Sequence, residues 1–167
     1  MSMPEGTLAE LIDGELLHTP APGYGHQASI LRLVVLLDAH VRDAQLGKVI
    51  LSPMDVHLPS GDIVQPDLIF LASRNLGMLQ SWVFGAPDLL IEVLSPHGVR
   101  RDRLVKSALY ARNGVGEFWI VDPVTRTLEL LRLDAAAYAP RVVFQSRDRI
   151  ASPTLPGFTP LVAEFFE

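Results

Sequence analysis

The chain has 167 residues, 49% of them hydrophobic and 20% charged, which allows a sizeable core and argues against wholesale disorder. Lysine and arginine number 14 against 19 aspartates and glutamates, and the net charge of −5 argues against a large basic face that coats nucleic acid non-specifically. Cysteine is absent, which removes a disulfide scaffold, a thiolate zinc site and a cysteine nucleophile together.

One domain spanning residues 1–167 is expected from this length. The start, Met1-Ser2-Met3-Pro4-Glu5-Gly6, lacks the basic-then-apolar order of a signal peptide. The strongly apolar stretch from Ile30 to Leu37 is interrupted by Arg32 and is far too short for a membrane span. A cytoplasmic protein with no membrane partner is the expectation.

The opening reads as a hairpin: Leu8 to Ile12, a turn at Asp13-Gly14, then Glu15 to His18. A loop follows at Pro20, Pro22, Gly23 and Gly25. From His26 a helical period sets in, with Ile30, Val34, Leu37 and Val41 on one stripe, Leu31 and Val35 beside it, and Gly47 near the C-cap position. Strands are expected at Val49 to Leu51, Asp55 to Leu58 and Ile63 to Leu71, the last apolar on both faces and therefore central. The region from Ala72 to Pro87, rich in breakers, reads as a loop. Asp88 to Leu94 is a second buried strand. Helical period returns from Val99 to Asn113, with Leu104, Val105, Ala108 and Leu109 inward and Gly114 as the stop. Strands at Glu117 to Asp122 and Thr127 to Leu133, two shorter ones, and a helical turn around Leu161 to Phe165 complete the order. Sheet-forming segments mixed with two main helices indicate an α/β or α+β fold.

Several chemistries are missing from the sequence. Gly114-Val115-Gly116 lacks the third glycine of a phosphate loop and follows a helix, and no G-x-S-x-G elbow occurs. The histidines at positions 18, 26, 40, 57 and 97 have no zinc-site spacing.

Acids placed inside apolar strands are the informative feature. Asp67 lies within Val64-Gln65-Pro66-Asp67-Leu68-Ile69-Phe70, and Glu92 within Leu89-Leu90-Ile91-Glu92-Val93-Leu94. Burying a carboxylate is costly unless it is paired or ligates a metal. Two acids on neighbouring strands could share a divalent cation, and oxygen ligands suit Mg²⁺ or Mn²⁺. Simpler roles compete. Asp67 could cap a turn, and Glu92 could pair with an arginine such as Arg101.

The basic residues comprise 12 arginines and 2 lysines, Lys48 and Lys106, so a lysine stands out. Arg100, Arg101, Arg103, Lys106 and Arg112 form the one dense basic segment. On a helix Asp102, Lys106 and Tyr110 share one row. A surface Asp102–Lys106 ion pair is one reading of that row. A compact charge placed near a phosphate or an attacking water is the other.

Taken in order, Gln65-Pro66-Asp67, Ile91-Glu92-Val93-Leu94-Ser95-Pro96, Asp102-x-x-x-Lys106-x-x-x-Tyr110 and Gly114-Val115-Gly116-Glu117-Phe118-Trp119-Ile120-Val121-Asp122-Pro123 resemble the restriction-endonuclease family called Uma-two, within the PD-(D/E)XK nuclease superfamily. Leu11-Ile12-Asp13-Gly14-Glu15-Leu16 and His26-Gln27 are similar too. The resemblance implies a mixed central sheet flanked by helices and a metal-dependent endonuclease acting on DNA. Asp67, Glu92 and the Val93 carbonyl would hold Mg²⁺ or Mn²⁺, with Gln65 and Tyr110 as supporting neighbours. The superfamily lysine two residues after the acid is replaced here by Leu94, and the family moves it to the next helix, which points to Lys106. The missing E-x-K lysine and the net negative charge keep a second reading in view, a non-catalytic nucleic-acid or protein-interaction module on the same fold. A homodimer is left open.

Overall fold

The protein is described by a computed structural model that covers residues 8–18, 21–95 and 101–166, with the side chains of residues 101 and 102 outside the description. The expectations for Met1 to Gly6, Pro20, Pro96, His97, Val99 and Arg100, and for the side chains of Arg101 and Asp102, therefore lie outside the described residues.

Two antiparallel strands, β1 (Ala9–Ile12) and β2 (Glu15–His18), open the chain. Asp13 and Gly14 both take positive φ, 51° and 83°, as a two-residue hairpin turn that follows the strand twist requires. Helix α1 (Tyr24–Asp43) then buries Ile30, Leu33, Leu37 and Val41. The buried stripe runs through Leu33 rather than Val34, and Leu31 and Val35 face outward. Nor is the glycine the cap. Gln45 takes the left-handed turn (φ 51°), while Gly47 (φ 155°) opens the next strand where a Cβ would lie 1.9 Å from the Leu71 carbonyl oxygen.

The strands that follow are β3 (Gly47–Leu51), β4 (Val56–His57), β5 (Ile63–Val64), β6 (Leu68–Ala72), β7 (Val83–Phe84), β8 (Leu89–Val93), β9 (Glu117–Asp122), β10 (Thr127–Asp134), β11 (Ala137–Tyr138) and β12 (Val142–Phe144). They make two sheets, one ordered β11-β10-β9-β8-β6-β3 with β12 also on β10, the other β2-β1-β5-β4-β7. In the larger sheet β8 and β9 are parallel and the other pairs antiparallel, so it is mixed. Strands β6 and β8 are buried throughout, as apolar runs on both faces imply.

The expected strand from Ile63 to Leu71 is divided. Its first residues join the small sheet, the chain crosses at Gln65-Pro66-Asp67, and the rest enters the central sheet as β6. Pro66 has no N–H and suits such a crossing.

One core lies between α1, the C-terminal segment and one face of the central sheet. A second lies between the opposite face, the small sheet and helix α2 (Ser107–Arg112). Together α2 and a π-helical turn at Arg101–Lys106 occupy the crossover from β8 to β9. The wider winding resets which residues face inward. Leu104 is 57% exposed and Val105 and Ala108 also face out, whereas Lys106, Leu109 and Tyr110 are buried. Among the described residues no helix is long and apolar enough to cross a membrane.

A polar clasp ties the hairpin to α2. Asp62 accepts from the Asp13 N–H at 2.7 Å, from the Ser60 hydroxyl and from Arg112 at 3.2 Å, and Arg112 also reaches Asp13 at 2.5 Å. Burial works to raise the Asp62 carboxyl, but Ser60, the Asp13 N–H and Arg112 outweigh it and hold the group below its ordinary 3.8. A depressed carboxyl contributes stability above its unfolded pKa and loses it as the pH falls through the folded value. Denaturation of Asp62→Asn against wild type should therefore show a constant stability gap at neutral pH that shrinks below about pH 3.8. A gap independent of pH down to the acid transition would contradict this assignment.

Candidate active site

The site forms where β6 begins and β8 ends. Leu68 pairs with Ile91 across these antiparallel strands, and one further step of that register sets Asp67 opposite Glu92. Asp67 thus sits immediately before β6 and Glu92 within β8, at neighbouring backbone positions of the same register.

Each carboxylate has a fixed set of partners. Asp67 Oδ2 accepts the Val93 main-chain N–H at 2.7 Å and the His26 Nε2–H at 3.2 Å. Since His26 stands in the first turn of α1, this contact joins helix and sheet at the site. Glu92 Oε1 accepts from Lys106 Nζ at 2.7 Å and from the Tyr110 hydroxyl at 2.8 Å. The i, i+4 spacing of Lys106 and Tyr110 brings both side chains to one oxygen.

Lys106 is 3% exposed, so it is a buried lysine rather than a surface one. Its ammonium lies between two buried acids, Glu92 and Glu10, the second at 3.0 Å through Oε1. Glu92 thus pairs with this lysine, and Asp67 is held by the Val93 N–H and His26. Gln65 supports the crossing segment by donating Nε2–H to Asp55 Oδ1 at 2.8 Å. The Val93 N–H orients Asp67, a contact the sequence reading did not anticipate.

Two further residues belong to this cluster, Glu10 and His26. Glu10 sits on β1 between apolar neighbours and is 2% exposed. The same signal that singles out Asp67 and Glu92 marks it. His26 Nδ1 is buried with no hydrogen-bond partner among the described residues. Only its place in the family-like His26-Gln27 pair draws attention to it in the sequence.

Among the described residues of the basic segment, the arginines are committed to protein acids. Arg103 pairs with Glu129 at 2.7 Å and Asp122 at 3.4 Å, and Arg112 with Asp13 and Asp62. A cleft of about 440 Å³ opens onto Asp67, lined among others by His26, Gln27, Gln65, Leu51 and Ser95. A second hollow of about 520 Å³ lies around Asp88, Arg74 and Arg132, which belong to neither the acid pair nor its lysine.

The donor set suits a hard cation. Mg²⁺ is commonly held by one or two carboxylates, completing its shell with water and phosphate oxygens rather than a full protein cage. Among the described residues no group of three or more acidic or histidine side chains converges as a ready-made cage. Asp67 and Glu92 fit the sparser kind, and Glu10 Oε2 is buried without a partner among the described residues beside them.

The protein's fold is a mixed-sheet α+β architecture. Its structure is similar to a crystal structure described as "a putative nuclease belonging to DUF820", from Anabaena variabilis, with a TM-score of 0.81 and 18% identity over 95% of this chain and 89% of that one. No curated protein matches the chain. The family Uma2, described as "Putative restriction endonuclease", matches residues 1–164, and the chain belongs to that family.

Proposed function

We propose that the chain is a metal-dependent endonuclease that hydrolyses phosphodiester bonds of DNA, with Asp67, Glu92 and Lys106 as its reactive side chains. The observation that carries this reading is the buried Lys106 ammonium 2.7 Å from Glu92, an acid–lysine pair whose lysine comes from the helical segment after β8 while position 94 is leucine. A surface role would not explain a lysine buried among acids.

Asp67 and Glu92, with the Val93 carbonyl, would hold Mg²⁺ or Mn²⁺. Such a cation supplies Lewis acidity toward a phosphate and makes water a better nucleophile. The chain's own groups do the rest. The Val93 N–H and His26 fix the Asp67 carboxylate, and Tyr110 fixes Glu92. Lys106 offers a preorganised positive charge where negative charge develops on the phosphate, in surroundings too dry to screen it. The cleft beside Asp67 gives the substrate its approach.

Binding to duplex DNA should be weak, because Arg103 and Arg112 already serve protein carboxylates. Each phosphate neutralised would add on the order of −0.9 to the salt slope, so a shallow slope is expected.

The test is incubation of the purified protein with supercoiled, linear and single-stranded DNA, with Mg²⁺ or Mn²⁺ and with a chelator. Metal-dependent cleavage that disappears in Glu92→Gln is the expected result. A protein that binds metal but cleaves none of these substrates would instead be a non-catalytic module on the same fold.

A further inference from the structure

We infer that Glu10 is the positioning residue for Lys106, the carboxylate that keeps the ammonium in the site when a divalent cation engages Glu92. The inference deepens the metal-dependent reading above and rests on it.

The geometry poses a conflict that Glu10 resolves. Glu92 Oε1 already accepts from both Lys106 and Tyr110. A divalent cation at Glu92 would compete with the ammonium for the same carboxylate and repel it. A lysine held by Glu92 alone would oppose the metal or be driven from the site. Instead the ammonium also lies 3.0 Å from Glu10 Oε1. It can lean toward Glu10 while the cation draws on Glu92, and so remain where a phosphate would need it.

Glu10 is built for that task. It is 2% exposed on β1, the inner strand of the hairpin, so its position is set by packing rather than by solvent. Its Oε1 also accepts the Gln65 main-chain N–H at 3.0 Å, across the sheet crossing that delivers Asp67 two residues later. One carboxylate thus links Lys106 to the segment that carries Asp67. Its other oxygen, Oε2, has no partner among the described residues, which leaves an acceptor for the ammonium to move onto.

A double-mutant cycle on Mn²⁺ affinity, measured by calorimetry, separates this role from others. Glu10→Gln keeps the volume and an oxygen for the Gln65 N–H but removes the charge. In the wild-type background it should weaken Mn²⁺ binding roughly tenfold or more, because the ammonium then falls back on Glu92. In a Lys106→Met background, where no ammonium competes, the same change should weaken binding by less than about threefold. Lys106→Gln provides a second background if the methionine variant does not fold.

An equal loss in both backgrounds would make Glu10 a direct metal ligand and overturn the inference. Unchanged affinity accompanied only by a lower melting temperature would make it merely structural, and would also overturn it. Failure of the wild type and the lysine variants to bind Mn²⁺ is a different result, since it removes the metal-dependent reading itself and this inference with it.

Discussion

Lys106→Ala should lower stability by about 3–5 kcal/mol, the cost of breaking a buried charge pair. The loss arises because Glu10 and Glu92 would face each other without the ammonium that both contact. A surface pair with Asp102 would have cost well under about 1 kcal/mol. Urea denaturation distinguishes these magnitudes, and a loss below about 1 kcal/mol would contradict the buried placement. Millimolar Mn²⁺ should restore part of the lost stability, since a cation can take over the charge of the missing ammonium. Cleavage should not recover with it. Turnover of the metal-loaded variant should remain down by roughly 10²-fold or more, the scale of losing one preorganised charge in the transition state. Lys106→Arg should rescue poorly, because a planar guanidinium cannot occupy the place of a compact ammonium between two carboxylates.

The second large effect concerns the acids. On the proposed reading Mn²⁺ binds only the native state, so at about a hundred times its dissociation constant it should add roughly 2.7 kcal/mol of stability. For a chain of this size that corresponds to a rise of about 5–10 °C in melting temperature. Asp67→Asn and Glu92→Gln should each abolish the rise, because each removes one of the two carboxylates proposed to hold the cation. Equal rises in wild type and both variants would place the metal elsewhere.

Much of the site was legible in the sequence because charge burial leaves a local signature. Asp67 and Glu92 interrupt apolar runs, and Lys106 is one of only two lysines against 12 arginines. The signature is incomplete as a criterion. Glu117 and Glu129 carry it too, yet Glu117 is satisfied by Trp119, Ser152 and Thr154, and Glu129 by Arg103 and Arg141. Only the partners, which come from distant parts of the chain, separate a site acid from a structural one. Glu10 escaped notice for the same reason, since its value lies in contacts with Gln65 and Lys106.

The fold shows a similar division. The Asp13-Gly14 turn, α1 and the two buried strands follow from local pattern. Strands covering β4 and β5 are expected from the sequence, but β7 and the grouping into a second sheet are not, because these strands are two residues each and have too little length for alternation to show. Their existence depends on long-range pairing. In the second helical segment periodicity placed Leu109 inward correctly, but not Leu104, Val105 and Ala108. The apolar Leu104 and Val105 turn outward there because the π-helical winding and the buried acids bring Lys106 and Tyr110 in.

The most direct test is anomalous scattering from crystals of the wild-type protein soaked in Mn²⁺. The account predicts a manganese peak within coordination distance of the Asp67 and Glu92 carboxylates, with the Lys106 ammonium closer to Glu10 than to Glu92. A manganese peak remote from both acids, or none at a concentration that saturates the protein in solution, would contradict it.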